Sequence, residues 1–214
     1  MMTNAVYTIG HSTHSIEKLI ELLKQQSISA VSDVRSRPYS RMNPQFNRES
    51  LKQALRTANI QYVFLGKELG ARSEDRRCYR NGQVQYDLLA QTDLFKQGIE
   101  RVEEGARKYR VALLCAEKEP LECHRAILVA RKLADDGLTV KHILGDGRVE
   151  EHDLALERLV AMLKIPQDDM FRSNDEIVRE AYTIQGKAIA YRELPPEPTD
   201  SDPAHDQRAA GVMR

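Results

Sequence analysis

The sequence predicts an α/β fold, a mostly parallel five-stranded sheet with helices on both faces in a three-layer, Rossmann-like arrangement. Three observations predict it. Short β-rich runs alternate with helix-length amphipathic segments along most of the chain. The 214 residues are 41% hydrophobic and 30% charged, enough to bury one real core and too apolar for a disordered chain. There is also no internal repeat of the kind that marks a solenoid.

In chain order, residues 5–9 (AVYTI) read as the first strand. Ser15 then caps a helix that carries Ile16, Leu19, Ile20 and Leu23 on one face. Residues 28–34 form the second strand, and a polar loop with Pro38 and Pro44 runs to Asn47, the cap of a helix through Leu51 and Leu55. Residues 60–65 (IQYVFL) are the third strand, and residues 66–86 contain no convincing element, a loop length that points to function. A long helix over 87–109 follows, then the most apolar strand at 111–114. Residues 122–136 are helical and stop at Gly137 in the C′ position. The fifth strand covers 138–144, residues 145–147 (GDG) make a turn, and residues 153–164 are helical. The expected organisation is an α/β domain over 1–165, a helical extension over 166–192, and an acidic, Pro-rich disordered tail over 193–214.

Lys and Arg total 32, Asp and Glu total 32, and the formal net charge is zero. The balance hides an uneven distribution. Residues 34–80 hold eleven basic and four acidic side chains, net +7, and the rest of the chain carries −7. Nine of those eleven are arginines, whose guanidinium forks suit phosphate or carboxylate. Three cysteines are too few for a disulfide framework. Met1-Met2-Thr3-Asn4 lacks the layout of a secretory signal, and no run approaches the roughly 18 apolar residues of a membrane span. A cytoplasmic protein with no membrane partner is expected, its oligomeric state left open.

Right-handed crossovers place every strand-to-helix loop on one edge of a parallel sheet, where open α/β sheets bind ligands. Those loops hold most of the chemically able side chains. Glu117, at the exit of the apolar strand, is the first catalytic candidate, with Asp33 as a second carboxylate for acid/base or nucleophilic work. Asp33 equally suits an ion pair that holds an arginine, with Arg125 as the partner considered. Cys123 and His124, near a helix start, are expected to assist, since a helix N-terminus and a neighbouring imidazolium both favour thiolate. His11, Ser12, Arg35, Arg37, Arg41, Cys115 and Arg125 are the expected ligand-binding residues, with Gly10 allowing close backbone approach. Nucleotide-binding, Walker, nucleophile-elbow and kinase signatures are absent, and so is a Cys-x5-Arg phosphatase loop. Metal binding is not expected: seven residues separate Cys115 from Cys123, against two to four between paired ligands in structural zinc sites, although His11 or His14 would complete four ligands. No cofactor is implied.

The runs Thr8-Ile9-Gly10-His11-Ser12, Asp33-Val34-Arg35-Ser36-Arg37-Pro38 with Ser40-Arg41, Pro44 and Phe46-Asn47, and Cys115-Ala116-Glu117 with Cys123-His124-Arg125 resemble the family called domain of unknown function 488 (DUF488), over about residues 5–145. The resemblance implies a small cytoplasmic α/β domain and no defined activity. The expectation is an enzyme, a hydrolase or transferase, acting on a phosphate-bearing ligand (a nucleotide or nucleic acid) by carboxylate chemistry beside an arginine-rich anion site. Two alternatives stand beside it. One is a non-catalytic nucleic-acid-binding module that stacks bases on Tyr39, Phe46, Tyr62, Phe64, Tyr79 and Tyr86. The other is a thiol redox or metal sensor built on Cys115 and Cys123.

Overall fold

A computed structural model describes residues 5–167 and 172–193. The expected tail over 193–214 lies, apart from Glu193, outside the described residues. The central sheet contains β1 (Val6–Gly10), β2 (Ala30–Asp33), β3 (Gln61–Phe64), β6 (Val111–Cys115), β7 (Val140–Ile143) and β8 (Val149–Glu151) in the order β3-β2-β6-β1-β7-β8. The first five are parallel and β8 pairs antiparallel with β7. The expected five strands are therefore six. The GDG turn returns the chain as a hairpin, with Gly147 at φ 90°. Two remaining strands, β4 (Tyr79–Arg80) and β5 (Gln83–Val84), form a small antiparallel hairpin inside the segment expected to lack structure.

Side chains alternate between the two faces of the sheet, as the pleat requires. Tyr7, Ile9, Val31, Ala112 and Leu114 pack against α1 (Ile16–Gln25) and α2 (Arg48–Thr57). Val6, Ala30, Val111, Leu113 and Cys115 face the other way, toward α4 (Asp93–Ala106), α5 (Arg131–Asp135), α6 (His152–Met162) and α7 (Asn174–Ile189). The predicted three layers are present.

Local chemistry sets the helix ends. The Ser15 side chain accepts the Lys18 N–H, and Gly137 ends α5 at φ 86°. Asn47 stands at the N-cap of α2, but its side chain accepts the Ser40 N–H instead of a helix donor. The long helix expected over 87–109 is two, α3 (Tyr86–Ala90) and α4, because Thr92 caps a new start by accepting the Phe95 N–H. The helix expected over 122–136 is likewise composite: a 3-10 turn at Pro120–Glu122, a π-helical stretch at Arg125–Ala130, and then α5. The extension predicted after residue 165 is α7, started by a capping box between Ser173 and Glu176.

Chain leaving β1 and β2 enters helices on one face, whereas chain leaving β6 enters helices on the other. The chain after β6 and the chains after its two neighbours thus pass to opposite faces of the sheet. Such divergence opens a crevice in an α/β sheet.

Candidate functional site

The crevice is built on a backbone lattice. The His11 and Ser12 N–H groups donate to the Cys115 and Ala116 carbonyls at 2.9 Å each, so the exit of β1 is tied to the exit of β6. A Cβ at Gly10 would stand 1.8 Å from the Glu117 carbonyl oxygen, which is why glycine occupies that position. Those N–H groups are not available to a ligand, and neither His11 nor Ser12 lines the cleft. Their expected role as direct phosphate donors is corrected accordingly.

Asp33 is fully buried and its carboxylate is committed. It accepts the Arg35 backbone N–H at 3.1 Å, Arg35 Nε at 2.9 Å and NH2 at 2.7 Å, and the Tyr62 hydroxyl at 2.8 Å. Asp33 therefore positions an arginine and does not act as a catalytic acid or base. Its partner is Arg35, not Arg125. Burial, followed by the Asp33 charge, pushes the Tyr62 hydroxyl well above its ordinary range, so it stays protonated and keeps donating.

Arg35 NH1 donates to His11 Nε2 at 3.1 Å, and His11 Nδ1 donates to the Ser12 carbonyl at 2.8 Å. A carbonyl only accepts and a guanidinium only donates, which fixes the neutral tautomer. Burial, with Arg35 and Arg125 nearby, lowers the His11 pKa to about 4 against the pull of Ser12 and Asp33. The ring stacks on Phe46 at 4.3 Å. His11 is thus a support behind Arg35. A guanidinium has five N–H bonds, and with three directed to Asp33 and His11 two remain on a rigidly held fork.

Arg125 is buried and donates to the Glu117 carbonyl at 2.8 Å and the Lys118 carbonyl at 3.2 Å, pinning the turn after β6. Its Nε has no partner among the described residues. Arg125 holds the loop rather than a ligand. It opens the π-helical stretch Arg125–Ala130, and just before that stretch the Cys123 carbonyl accepts the N–H groups of both Ala126 and Ile127. Such π-helical turns recur at functional sites.

On the α7 face, the 3-10 turn at Pro120–Glu122 brings Cys123 and His124 back beside Cys115. One ligating atom from each of the three residues lies within 4.8 Å of the others. His124 Nδ1 is 3.7 Å from Cys115 Sγ and 3.8 Å from Cys123 Sγ. Its Nε2 donates to the Val34 carbonyl at 3.1 Å, so that nitrogen carries a proton in either charge state. Burial works against a thiolate at Cys123, but hydrogen bonding from Cys115, the Arg125 charge and His124 together hold its thiol well below the usual range. Cys115, hydrogen-bonded to that sulfur and buried, is pushed well above it and keeps the shared proton.

These groups form the floor of a cleft of about 280 Å³. Arg35, Arg37 and Arg72 line it, as do Glu117, Glu122, Tyr86, Ile189 and Tyr191. Glu117 projects at the exposed rim of the cleft, and its carboxylate has no hydrogen bond among the described residues. Arg41 is exposed and lies outside the cleft.

Arg72, Ile189 and Tyr191 were not singled out by the sequence. The Arg72 N–H donates to Ser36 Oγ at 3.0 Å, and its guanidinium sits 4.5 Å from the Tyr191 ring centre. The chain after α7 reaches this wall by joining the small hairpin, with the Val84 N–H donating to the Tyr191 carbonyl and the Glu193 N–H to the Gly82 carbonyl. Much of the basic segment is consumed elsewhere: Arg76 pairs with Glu193, Arg77 with Asp75, and Arg48 covers Phe64. The proposed stacking aromatics are occupied too. Phe46, Tyr79 and Tyr86 are buried and Tyr62 binds Asp33, whereas Tyr39 is 71% exposed.

Fold and site together define an α/β domain with a thiol- and histidine-floored cleft at the carboxyl edge of a parallel sheet. Residues 15–132, more than half of the chain, match the family described as Domain of unknown function DUF488, and the chain belongs to that family. No curated protein and no solved structure matches it. Ile189 and Tyr191 lie beyond the matched span. Among the described residues no helix is long and apolar enough to cross a membrane.

Proposed function

We propose that the protein is an enzyme that holds a phosphate-bearing small ligand between Arg35, Arg37 and Arg72, with its reacting end over the Cys115–Cys123–His124 floor. The observation that carries this reading is the sharing of one cleft by three arginines and the sulfur–imidazole cluster. Arg35 is oriented in advance by Asp33 and His11, so its two remaining N–H bonds meet an anion with little ordering cost. Glu117 and Glu122 supply carboxylates at the rim for proton transfer to or from the ligand. The reaction centre moves from the carboxylate pair to the sulfur–imidazole floor.

A small ligand fits better than a nucleic acid. The cleft is of small-molecule size, Arg76 and Arg77 outside it pair with carboxylates within the protein, and Phe46 and Tyr79 are buried in the core. The test is a binding panel of inorganic phosphate, pyrophosphate, sugar phosphates and nucleotides, by calorimetry and thermal shift at low salt. At least one should bind, and the Arg37→Ala, Arg72→Ala double variant should weaken it by about 10-fold or more. Arg41→Ala should leave it unchanged. Absence of binding across the panel, or equal sensitivity to Arg41→Ala, overturns the reading.

A further inference from the structure

We propose that Cys115, Cys123 and His124 are ligands of a thiophilic divalent cation, zinc in the first instance, with the fourth coordination position open to the arginine-lined cleft. This deepens the reading above and rests on it for the identity of the fourth ligand, an oxygen of the phosphate-bearing molecule or a water it displaces.

Geometry comes first. A tetrahedral zinc ion with Zn–S of about 2.3 Å and Zn–N of about 2.0–2.1 Å sets its nitrogen and sulfur ligands about 3.6 Å apart. His124 Nδ1 lies 3.7 Å from one sulfur and 3.8 Å from the other. The three donors already stand near the corners of such a site.

Ring orientation is the second observation. A ligating histidine characteristically donates its other N–H to a carbonyl or carboxylate, which fixes its tautomer and direction. His124 Nε2 donates to the Val34 carbonyl, and the neutral ring therefore presents the Nδ1 lone pair to both sulfurs. All three residues are buried, so the donor set is shaped by the fold and not by chance meeting on a surface. Val34 leaves β2, Cys115 ends β6, and Cys123 and His124 follow the turn. The site thus joins three segments.

The donor set then selects the metal. Two thiolates and an imidazole suit zinc and disfavour magnesium or calcium, which take oxygen ligands. M²⁺ binds both sulfurs as thiolates, the proton they share passing to solvent, and the resulting M(Cys⁻)₂(His) unit is neutral with no oxidant or reductant required. Three protein ligands with one side facing a cleft is the arrangement of a catalytic rather than a structural zinc centre. His11 and His14 are not part of the cluster. His11 has both ring nitrogens engaged by Arg35 and Ser12.

The experiment is titration of the full-length, reduced, metal-stripped protein with Co²⁺, followed by displacement with Zn²⁺. The expected result is one equivalent of cobalt giving thiolate-to-cobalt charge transfer in the near ultraviolet and the visible bands of a tetrahedral ion, both abolished by zinc. Cys115→Ser, Cys123→Ser and His124→Gln should each lose the signal. Cys78→Ser should retain it, because Cys78 is buried in the core outside the cluster. Absence of these bands in the wild-type protein overturns the metal site whatever the variants do, so a misfolded variant does not shield it. Inorganic phosphate or pyrophosphate is then added to the cobalt form. A spectral shift lost in Arg72→Ala places the anion at the open position. Cobalt bands that phosphate leaves untouched refute the open-position assignment. Arg72-dependent phosphate binding without any cobalt bands sinks the metal and leaves the cleft reading standing.

Discussion

Acid should unfold this protein through its buried histidines, well above the pH at which carboxylates titrate. His142 Nδ1 meets Thr8 Oγ1 at 2.8 Å, His142 Nε2 meets His152 Nδ1 at 2.9 Å, and His152 Nε2 meets the Tyr182 hydroxyl at 2.8 Å. This chain links β1, β7, α6 and α7 through the core. Burial first, then the positive fields of His152, Arg125 and Arg158, holds His142 well below its ordinary range, and burial lowers His152 against Asp153 and Asp135. His11 is lowered to about 4. In each case the folded pKa lies below the unfolded one, so the unfolded state binds more protons as pH falls. Stability is complete above about pH 6.5 and is lost below it. From pH 7.5 to 5.0, an unfolded-state imidazole takes up nearly one proton, a loss of about 2 kcal/mol for each histidine that stays neutral in the fold. His11 removes about 2 kcal/mol over that interval, and His142 and His152 add to the loss in the same direction, against the 5–15 kcal/mol typical of a domain. Urea unfolding by circular dichroism at pH 7.5, 6.0 and 5.0, at constant ionic strength, measures it. His142→Gln should reduce the slope between pH 6 and 5, by at most about 1.4 kcal/mol per pH unit, the value for one full proton. A flat profile above pH 5, or identical slopes in wild type and variant, refutes the linkage.

Further outcomes follow from single contacts. Gly10→Ala drives a methyl into the Glu117 carbonyl and should cost about 3 kcal/mol or more by chemical denaturation, with loss of phosphate binding; an unchanged unfolding midpoint contradicts the lattice described. Tyr62→Phe removes one of the donors on the buried Asp33 and should destabilise by about 1–3 kcal/mol in urea, with no effect if the hydroxyl is merely hydrated. Tyr191→Ala strips the ring beneath Arg72 and should lower stability by only about 0.5–1 kcal/mol while weakening anion binding several-fold in calorimetry; equal affinities would remove the C-terminal segment from the site.

The sheet and the carboxyl edge that carries the cleft are legible because they rest on periodicity and on the handedness of crossovers, both of which a sequence carries. Elements of two or three residues are not. β8 is a short edge strand of Val149-Glu150-Glu151, too polar and brief to show alternation. The β4–β5 hairpin did leave a signal: Asn81-Gly82, at φ 50° and 73°, is the pair that a tight turn with positive φ requires. The metal-like cluster does not show in the sequence, because seven residues separate the cysteines. Ligand-spacing rules describe knuckles in which the chain itself curls around the ion. Here β6 supplies one sulfur, a 3-10 turn and an extended Cys123 return the other, and the carbonyl that orients the histidine comes from the neighbouring strand's exit. No local spacing encodes that arrangement.

Asp33 and Arg35 show what the sequence does encode and where burial takes over. Asp-x-Arg occurs four times, and in the three copies among the described residues the aspartate accepts the arginine's backbone N–H and its guanidinium: Asp33 with Arg35, Asp75 with Arg77, and Asp146 with Arg148. The turn is local, so it forms wherever the spacing permits. Two copies are solvent-facing, with arginine side chains 90% and 78% exposed, and ion pairs of that kind contribute little. The third places the same fork at 8% exposure on a fully buried carboxylate, braced by Tyr62 and His11. Only there is the guanidinium rigid, desolvated and turned toward a cleft. Within the arginine-rich segment the same local turn therefore gives one rigid, buried guanidinium fork at the cleft, Arg35, and one exposed surface turn, Arg77.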